Sequence, residues 1–278
     1  MTKPTLFPES GFRRLRADIS YDGTNFFGWA VQPDRRTIQF LIEEALSKIA
    51  RIEVETVVAG RTDAGVHATG QVIHVDVPQD TEIDNLLYKL NRILDQDVRI
   101  TAIAEAPEAF HARFSALRRH YEYRILDDNQ VMPPLARLNT AAWYRKLDLD
   151  LLNHAGSLLL GTHDFVALSK YREGATTVRT LEKFEWYRDE AGFLIARVAA
   201  NAFCYSMVRN LVGAVSCVAE GSQSLEWLSA LLENKERVSD SMVYPAHGLT
   251  LVQVDYPDVA GLIEFAKSSL ARREEESN

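Results

Sequence analysis

Alternation of apolar and polar positions sets out the first strands. Leu15 to Tyr21 alternates and reads as a strand, after a loose arm over residues 1–12. Glu53 to Val58 and Gln71 to Val77 read the same way, with a glycine-rich loop between them. Ile38, Leu41, Ile42, Ala45, Leu46 and Ile49 recur at helical spacing behind Thr37, a fitting N-cap. Thr81 to Leu94 reads as a second helix and Val98 to Ala104 as a further strand. His120 to Arg124 alternates, so Tyr121 and Tyr123 share one strand face.

The second half repeats the theme without a detectable sequence repeat. Asp127 to Pro134 is polar, ends in Pro-Pro and marks a boundary or a long loop. Ala141 to Tyr144 suggests a short strand, and Asp148 to Leu160 a helix stopped at Gly161. His163-Asp164-Phe165 is expected in a turn and Lys170 to Arg179 in a mobile basic loop. Val178–Arg188 and Phe193–Ala199 read as an antiparallel pair. From Asn201 the apolar pattern runs to Val218 and predicts a long buried helix containing Arg209, which needs a carboxylate partner. Leu225 to Leu232 is another helix, Leu249 to Asp255 a last strand, and the charged run from Arg272 a frayed tail. The order of elements gives the α+β class, with helices covering one face of a mixed sheet, in two similar halves, 1–140 and 141–278, that fit around a shared cleft.

Composition changes this picture little. The 278 residues are 46% hydrophobic, enough for a substantial core. Thirty-one Lys and Arg against 39 Asp and Glu leave a net charge of −8, so any nucleic-acid partner must be met by a local basic face. Cys204 and Cys217 fall in one helical stretch, too far apart for a disulfide, and read as reduced thiols of a cytoplasmic protein. No apolar run is long enough for a membrane span.

The chemistry centres on the loop Ala59-Gly60-Arg61-Thr62-Asp63-Ala64-Gly65-Val66-His67-Ala68. Its glycines let a ligand approach one carboxylate, Asp63, beside one guanidinium, Arg61. On spacing alone, the default role of Asp63 is to cap a turn. The loop lacks a phosphate-binding glycine pattern, and its histidines lack metal spacing. Tyr21-Asp22-Gly23 through Gly28-Trp29 brings aromatics beside glycine, for packing or for base stacking. Four arginines between Arg113 and Arg124, among three aromatics and one histidine, suit phosphate contacts as well as a solvated strand face. His111 reads as a hydrogen-bonded structural residue.

These segments, in this order, resemble the tRNA pseudouridine synthase A family. Gly60 to Ala68 resembles its catalytic-aspartate motif. Tyr21 to Trp29, Phe110 to Ala116 with Tyr121, His163 to Phe165, Asn201 to Phe203 with Met207 to Asn210, and Pro245 to Leu249 fit its other motifs. Trp29-Ala30-Val31-Gln32 and Cys204-Tyr205-Ser206 depart from the family pattern and put secondary RNA contacts in doubt. The resemblance implies two α/β halves whose strands join one central, mainly antiparallel sheet with helices packed on it and the cleft between the halves. It implies isomerisation of uridine to pseudouridine at positions 38, 39 and 40 of the tRNA anticodon stem-loop, without cofactor or metal, by a cytoplasmic homodimer. It implies Asp63 as the catalytic carboxylate, Arg61 displacing the flipped base, Tyr121 stacking on the uracil, and Phe110, His111, Arg113 and Arg209 among the substrate-binding residues. Arg209 is a candidate partner for Asp63. A non-catalytic RNA-binding protein and a small-molecule hydrolase are the rival readings. The first has no use for Asp63, and the second lacks a second catalytic carboxylate or histidine.

Overall fold

The structure is a computed structural model that describes residues 7–170, 176–234, 236, 243–264 and 268. It divides into two compact units. The first comprises Met1–Leu117 and Leu251–Asn278, the second Arg118–Thr250.

In the first unit, β1 (Phe12–Tyr21) is followed by α1 (Ile38–Ala50), β2 (Thr56–Val58), β3 (His67–Pro78), α2 (Leu86–Ile93) and β4 (Val98–Glu105). β1 lies antiparallel between β3 and β4, with Leu15 opposite Val75 and Ala17 opposite Ile73. β2 is a short hairpin partner of β3. Alternation decides the two sheet faces. Leu15, Ala17, Ile19, Ile73 and Val75 form one fully buried apolar face. The other carries Arg14, His74 and Asp76, and is covered by the segment from Phe110 to Ser115. Arg14 makes this polar face tolerable. Its guanidinium binds both Asp76 carboxylate oxygens at 2.8 Å and donates to the carbonyls of Glu108 and Phe110.

The second unit holds β5 (Arg118–Leu126), β6 (Ala141–Ala142), α3 (Leu149–Leu158), β7 (Gly161–Asp164), β8 (Val178–Arg188), β9 (Leu194–Ala200), α4 (Met207–Ala219) and α5 (Leu225–Glu233). Its strands run antiparallel in the order β5-β9-β8-β7, with β6 beside β5. α3 packs on β8 and α4. Asp148 and Ser224 cap α3 and α5 with side-chain hydrogen bonds to Leu151 and Trp227. The final strand, β10 (Leu249–Asp255), takes the chain back to the first unit, beside β3. The chain is thus α+β, with helices against mainly antiparallel strands.

Several elements differ from the sequence pattern for local reasons. α4 starts at Met207 rather than Asn201, because Ser206 adopts a left-handed conformation at φ 58°. Cys204 therefore lies outside the helix, and both cysteines are free thiols. α2 starts at Leu86 rather than Thr81, behind Asn85 at φ 60°. The strand expected from Glu53 begins at Thr56. His163 and Asp164 belong to β7, paired with Arg179 and Val178, rather than to a turn. Thr37 occupies the N-cap of α1 without a capping hydrogen bond from its side chain. Arg209 is half-buried, the one residue of α4 that is not buried. Residues 1–6, residues 171–175 of the expected basic loop and the charged tail lie outside the described residues.

Candidate active site

The Asp63 loop hangs between β2 and β3 and is fixed from below by buried polar groups. Gln71 is fully buried in β3. Its amide nitrogen donates to the Gly60 carbonyl at 2.8 Å and to the Tyr21 hydroxyl at 3.2 Å. That hydroxyl shares a 2.8 Å hydrogen bond with the Thr62 hydroxyl. Burial pushes the Tyr21 phenol up to about 12, against the pull of its hydrogen bonds to Thr62 and Gln71, so it remains a neutral link at physiological pH. Thr62 is thereby anchored in the interior. Of its neighbours, Arg61 is exposed and Asp63 half-buried.

The first aromatic motif forms the wall beside this loop. The Gly65 N–H donates to the Phe26 carbonyl at 3.3 Å, and the Trp29 N–H to the Thr62 carbonyl at 3.0 Å. The two bonds hold residues 26–29 against the turn at 62–66, which the Val66 N–H closes onto the Asp63 carbonyl at 3.2 Å, and Gly28 lies against the backbone of residues 62–64. The approach leaves no room for side chains. A Cβ on Gly28 (φ +89°) would sit 2.9 Å from the Thr62 carbonyl oxygen, and one on Gly23 2.0 Å from that of Val66. The aromatics divide accordingly: Tyr21, Phe26 and Trp29 are core, and Phe27 faces solvent.

In the same unit, Phe110 and His111 are buried, in the segment that also carries Arg113. The Phe110 ring packs 4.9 Å from that of Tyr256. His111 accepts the Phe114 N–H through Nδ1 at 3.1 Å, and its ring lies 4.7 Å from His74. Arg113 is exposed, with its guanidinium 5.7 Å from the Phe114 ring.

The second unit carries Tyr121 and Arg209. Tyr121 is 8% exposed on β5 and meets the ring of Phe203 edge-on at 5.2 Å. Most of the arginines near it are engaged: Arg118 with Glu182 at 2.8 Å, Arg124 with Asp189 at 3.5 Å, and Arg119 with the Asn201 carbonyl at 2.7 Å. Arg209 donates from Nε to the Tyr244 carbonyl at 2.6 Å, while the Tyr244 N–H donates back to the Arg209 carbonyl. Tyr244 stacks on Trp143 at 4.9 Å and meets Tyr123 edge-on. The Tyr123 hydroxyl donates to the Pro245 carbonyl at 2.6 Å, and Gly248 lies against its ring.

A family model described as tRNA pseudouridine synthase matches residues 17–115 and 155–257. The chain belongs to the tRNA pseudouridine synthase family. Curated relatives named tRNA pseudouridine synthase A agree over nearly their whole length. The relative from Frankia casuarinae is 52% identical over 95% of this chain and 96% of its own. That from Cutibacterium acnes is 47% identical over 94% and 95%, and that from Mycobacterium leprae 46% over 96% of each. The chain is accordingly an isomerase that modifies tRNA.

Within this synthase, the structure brings Arg61 and Asp63 together on one anchored loop, sets Phe110, His111 and Arg113 on one segment, and places Tyr121 and Arg209 in the second unit. Reading the sequence missed Gln71 and Tyr244. Gln71 is a polar residue at an inward position of a buried strand, a signal that was there to be seen. Tyr244 immediately precedes the Pro245 motif and gave no periodic sign. No group of three or more metal-ligating side chains is gathered among the described residues. No helix among them is long and apolar enough to cross a membrane.

Proposed function

We propose that this synthase converts uridine to pseudouridine at positions 38, 39 and 40 of the tRNA anticodon stem-loop, with Asp63 as catalytic carboxylate. The observation that carries the reading is the Asp63 loop. It holds the family's motif at Gly60–Ala68 on a buried Gln71–Tyr21–Thr62 anchor, with Arg61 exposed and Asp63 half-buried on either side of Thr62.

The reaction breaks the bond from ribose C1′ to uracil N1, turns the detached base and joins C1′ to C5. The C5 proton is lost and N1 gains one, so the product is an isomer and needs no co-reactant. A target base inside a stem must first leave the stack. Arg61 assists its displacement and holds the emptied space. Asp63 acts either as nucleophile or as base on the ribose. Tyr121 stacks on the uracil and takes part in moving the C5 proton. Arg113 contacts the RNA backbone from a segment held in place by Phe110 and His111, and Arg209 completes the substrate-binding set. The enzyme works in the cytoplasm as a homodimer, without cofactor.

The test is release of tritium from tRNA labelled at uridine C5. Wild type is expected to release it. Asp63→Asn and Asp63→Ala should release none while still binding tRNA. Full turnover by either variant would remove Asp63 from the chemistry. Tyr121→Phe is expected to lose turnover more than affinity, and equal losses would make Tyr121 a packing residue.

A further inference from the structure

Two consecutive aromatic residues next to the Asp63 loop pair with two consecutive arginines, and the pairs have opposite fates. Phe26 is 3% exposed, and the Arg36 guanidinium lies 4.0 Å from its ring centroid. Arg36 is neutralised by both carboxylate oxygens of Asp97 at 2.8 and 2.9 Å and by Asp95 at 2.7 Å. This inner pair is structural. Phe27 is 46% exposed, and the exposed Arg35 guanidinium lies 4.3 Å from its ring centroid. No carboxylate among the described residues pairs with Arg35.

The outer pair is displayed on a preformed loop. The Phe27 N–H donates to the Arg36 carbonyl at 3.0 Å, its carbonyl accepts from the Gln32 amide at 2.7 Å, and the Arg35 N–H donates to the Gln32 carbonyl at 3.3 Å. Phe27 is thus ordered by its backbone and about half exposed, with a cation over its ring. Its place is set by the backbone on either side of it: the Phe26 carbonyl accepts from the Gly65 N–H, and Gly28 lies against the backbone of residues 62–64.

We propose that Phe27 and Arg35 form a stacking platform for an unpaired nucleobase of the tRNA beside the target uridine. An aromatic face accepts any base, and a guanidinium stacked on it adds attraction to the neighbouring phosphate. Extruding the target uridine leaves the adjoining base without its stacking partner. A ring one residue before Gly28, which lies against the Asp63 backbone, is placed to receive it. Because the ring is already ordered, binding carries little further entropic cost.

This inference rests on the uridine-isomerising reading and is tested alongside it. An anticodon stem-loop RNA is titrated into Phe27→Ala, Phe27→Leu, Phe27→Trp and Arg35→Ala, each in an Asp63→Asn background so that no turnover intervenes. Phe27→Ala and Phe27→Leu are expected to weaken binding about tenfold, within the range for loss of one stacked base. Phe27→Trp should bind as tightly as its parent, and Arg35→Ala should fall between. With Asp63 restored, the loss should appear in KM. Unchanged thermal midpoints separate this from collapse of the loop. Parental affinity in Phe27→Ala, or full rescue by Phe27→Leu, which keeps the bulk but not the π face, would overturn the platform while leaving wild-type turnover intact. Absence of wild-type turnover on tRNA would instead bring down the underlying reading and the platform with it.

Discussion

Gly23 has no room for a side chain, because an added Cβ would lie 2.0 Å from the Val66 carbonyl oxygen. The obstacle is backbone, which cannot rotate aside as a side chain does. Gly23→Ala is therefore expected to cost about 1–3 kcal/mol, the usual penalty of overpacking, and to lower turnover by shifting the loop that carries Asp63. Gly60 is the contrast: it lies in the same loop with nothing within 4 Å of its added Cβ. Gly60→Ala should change stability by less than about 0.5 kcal/mol. Urea unfolding of the two variants checks both values, and equal stabilities would refute the crowding at Gly23. The sequence displayed both glycines equally. Nothing local to Gly23 says that residue 66 stands against it.

Strand faces were legible from alternation, but their cargo was not. β1 was readable from Leu15 onward, and β8 with β9 as a hairpin, because a two-residue period reports burial directly. The same alternation places Arg14 on a face shared with His74 and covered by the segment from Phe110. Its side chain is wholly buried and tied to Asp76, 62 positions away. Arg14→Met should therefore cost about 3–5 kcal/mol, since it strands the Asp76 carboxylate and the carbonyls of Glu108 and Phe110. Adding Asp76→Leu to that variant should recover part of the loss. Chemical denaturation of the single and double variants measures it, and a double variant no more stable than Arg14→Met would show that the stranded carboxylate is not the cost. Element starts were less legible than element centres. Ser206 and Asn85 take left-handed conformations that delay α4 and α2, and such conformations leave no periodic trace.

At the scale of the whole molecule, buried titratable groups predict the response to acid. Burial first, then the Arg14 charge and His111, hold the His74 imidazole well below its ordinary 6.5. Folded, it stays neutral; unfolded, it takes up a proton once the pH falls below about 6.5. Stability from this group is thus complete above that pH and declines below it, until the folded imidazole is itself protonated. Asp127 acts lower on the scale. Burial opposes its charge, but the Arg188 hydrogen bonds and the Leu147 N–H prevail, and its carboxyl lies below the ordinary 3.8. Its contribution is present above about pH 3.8 and is lost as the pH falls through the lower, folded value. Urea midpoints between pH 8 and 3 should therefore decline below pH 6.5, a decline that His74→Gln flattens, and fall again below about pH 4. An unaltered slope in His74→Gln would assign the upper stage to another group.

The sequence by itself determined what is local or carried by motif order. It supplied the strand and helix centres, the α+β class, and the Asp63 loop between two strands with the family resemblance that surrounds it. Only the tertiary structure decided which polar groups have partners and which remain available. Arg118 and Arg124 of the basic stretch are spent on Glu182 and Asp189, Arg36 is spent on Asp95 and Asp97, and Phe27 with Arg35 is left outward. It also set β10 beside β3 and tied Tyr123 to Pro245, 122 positions later. The reason is physical. Periodicity encodes burial through the geometry of a single element, whereas a hydrogen bond, an ion pair or a backbone approach joins residues distant in sequence, and no local pattern specifies the partner.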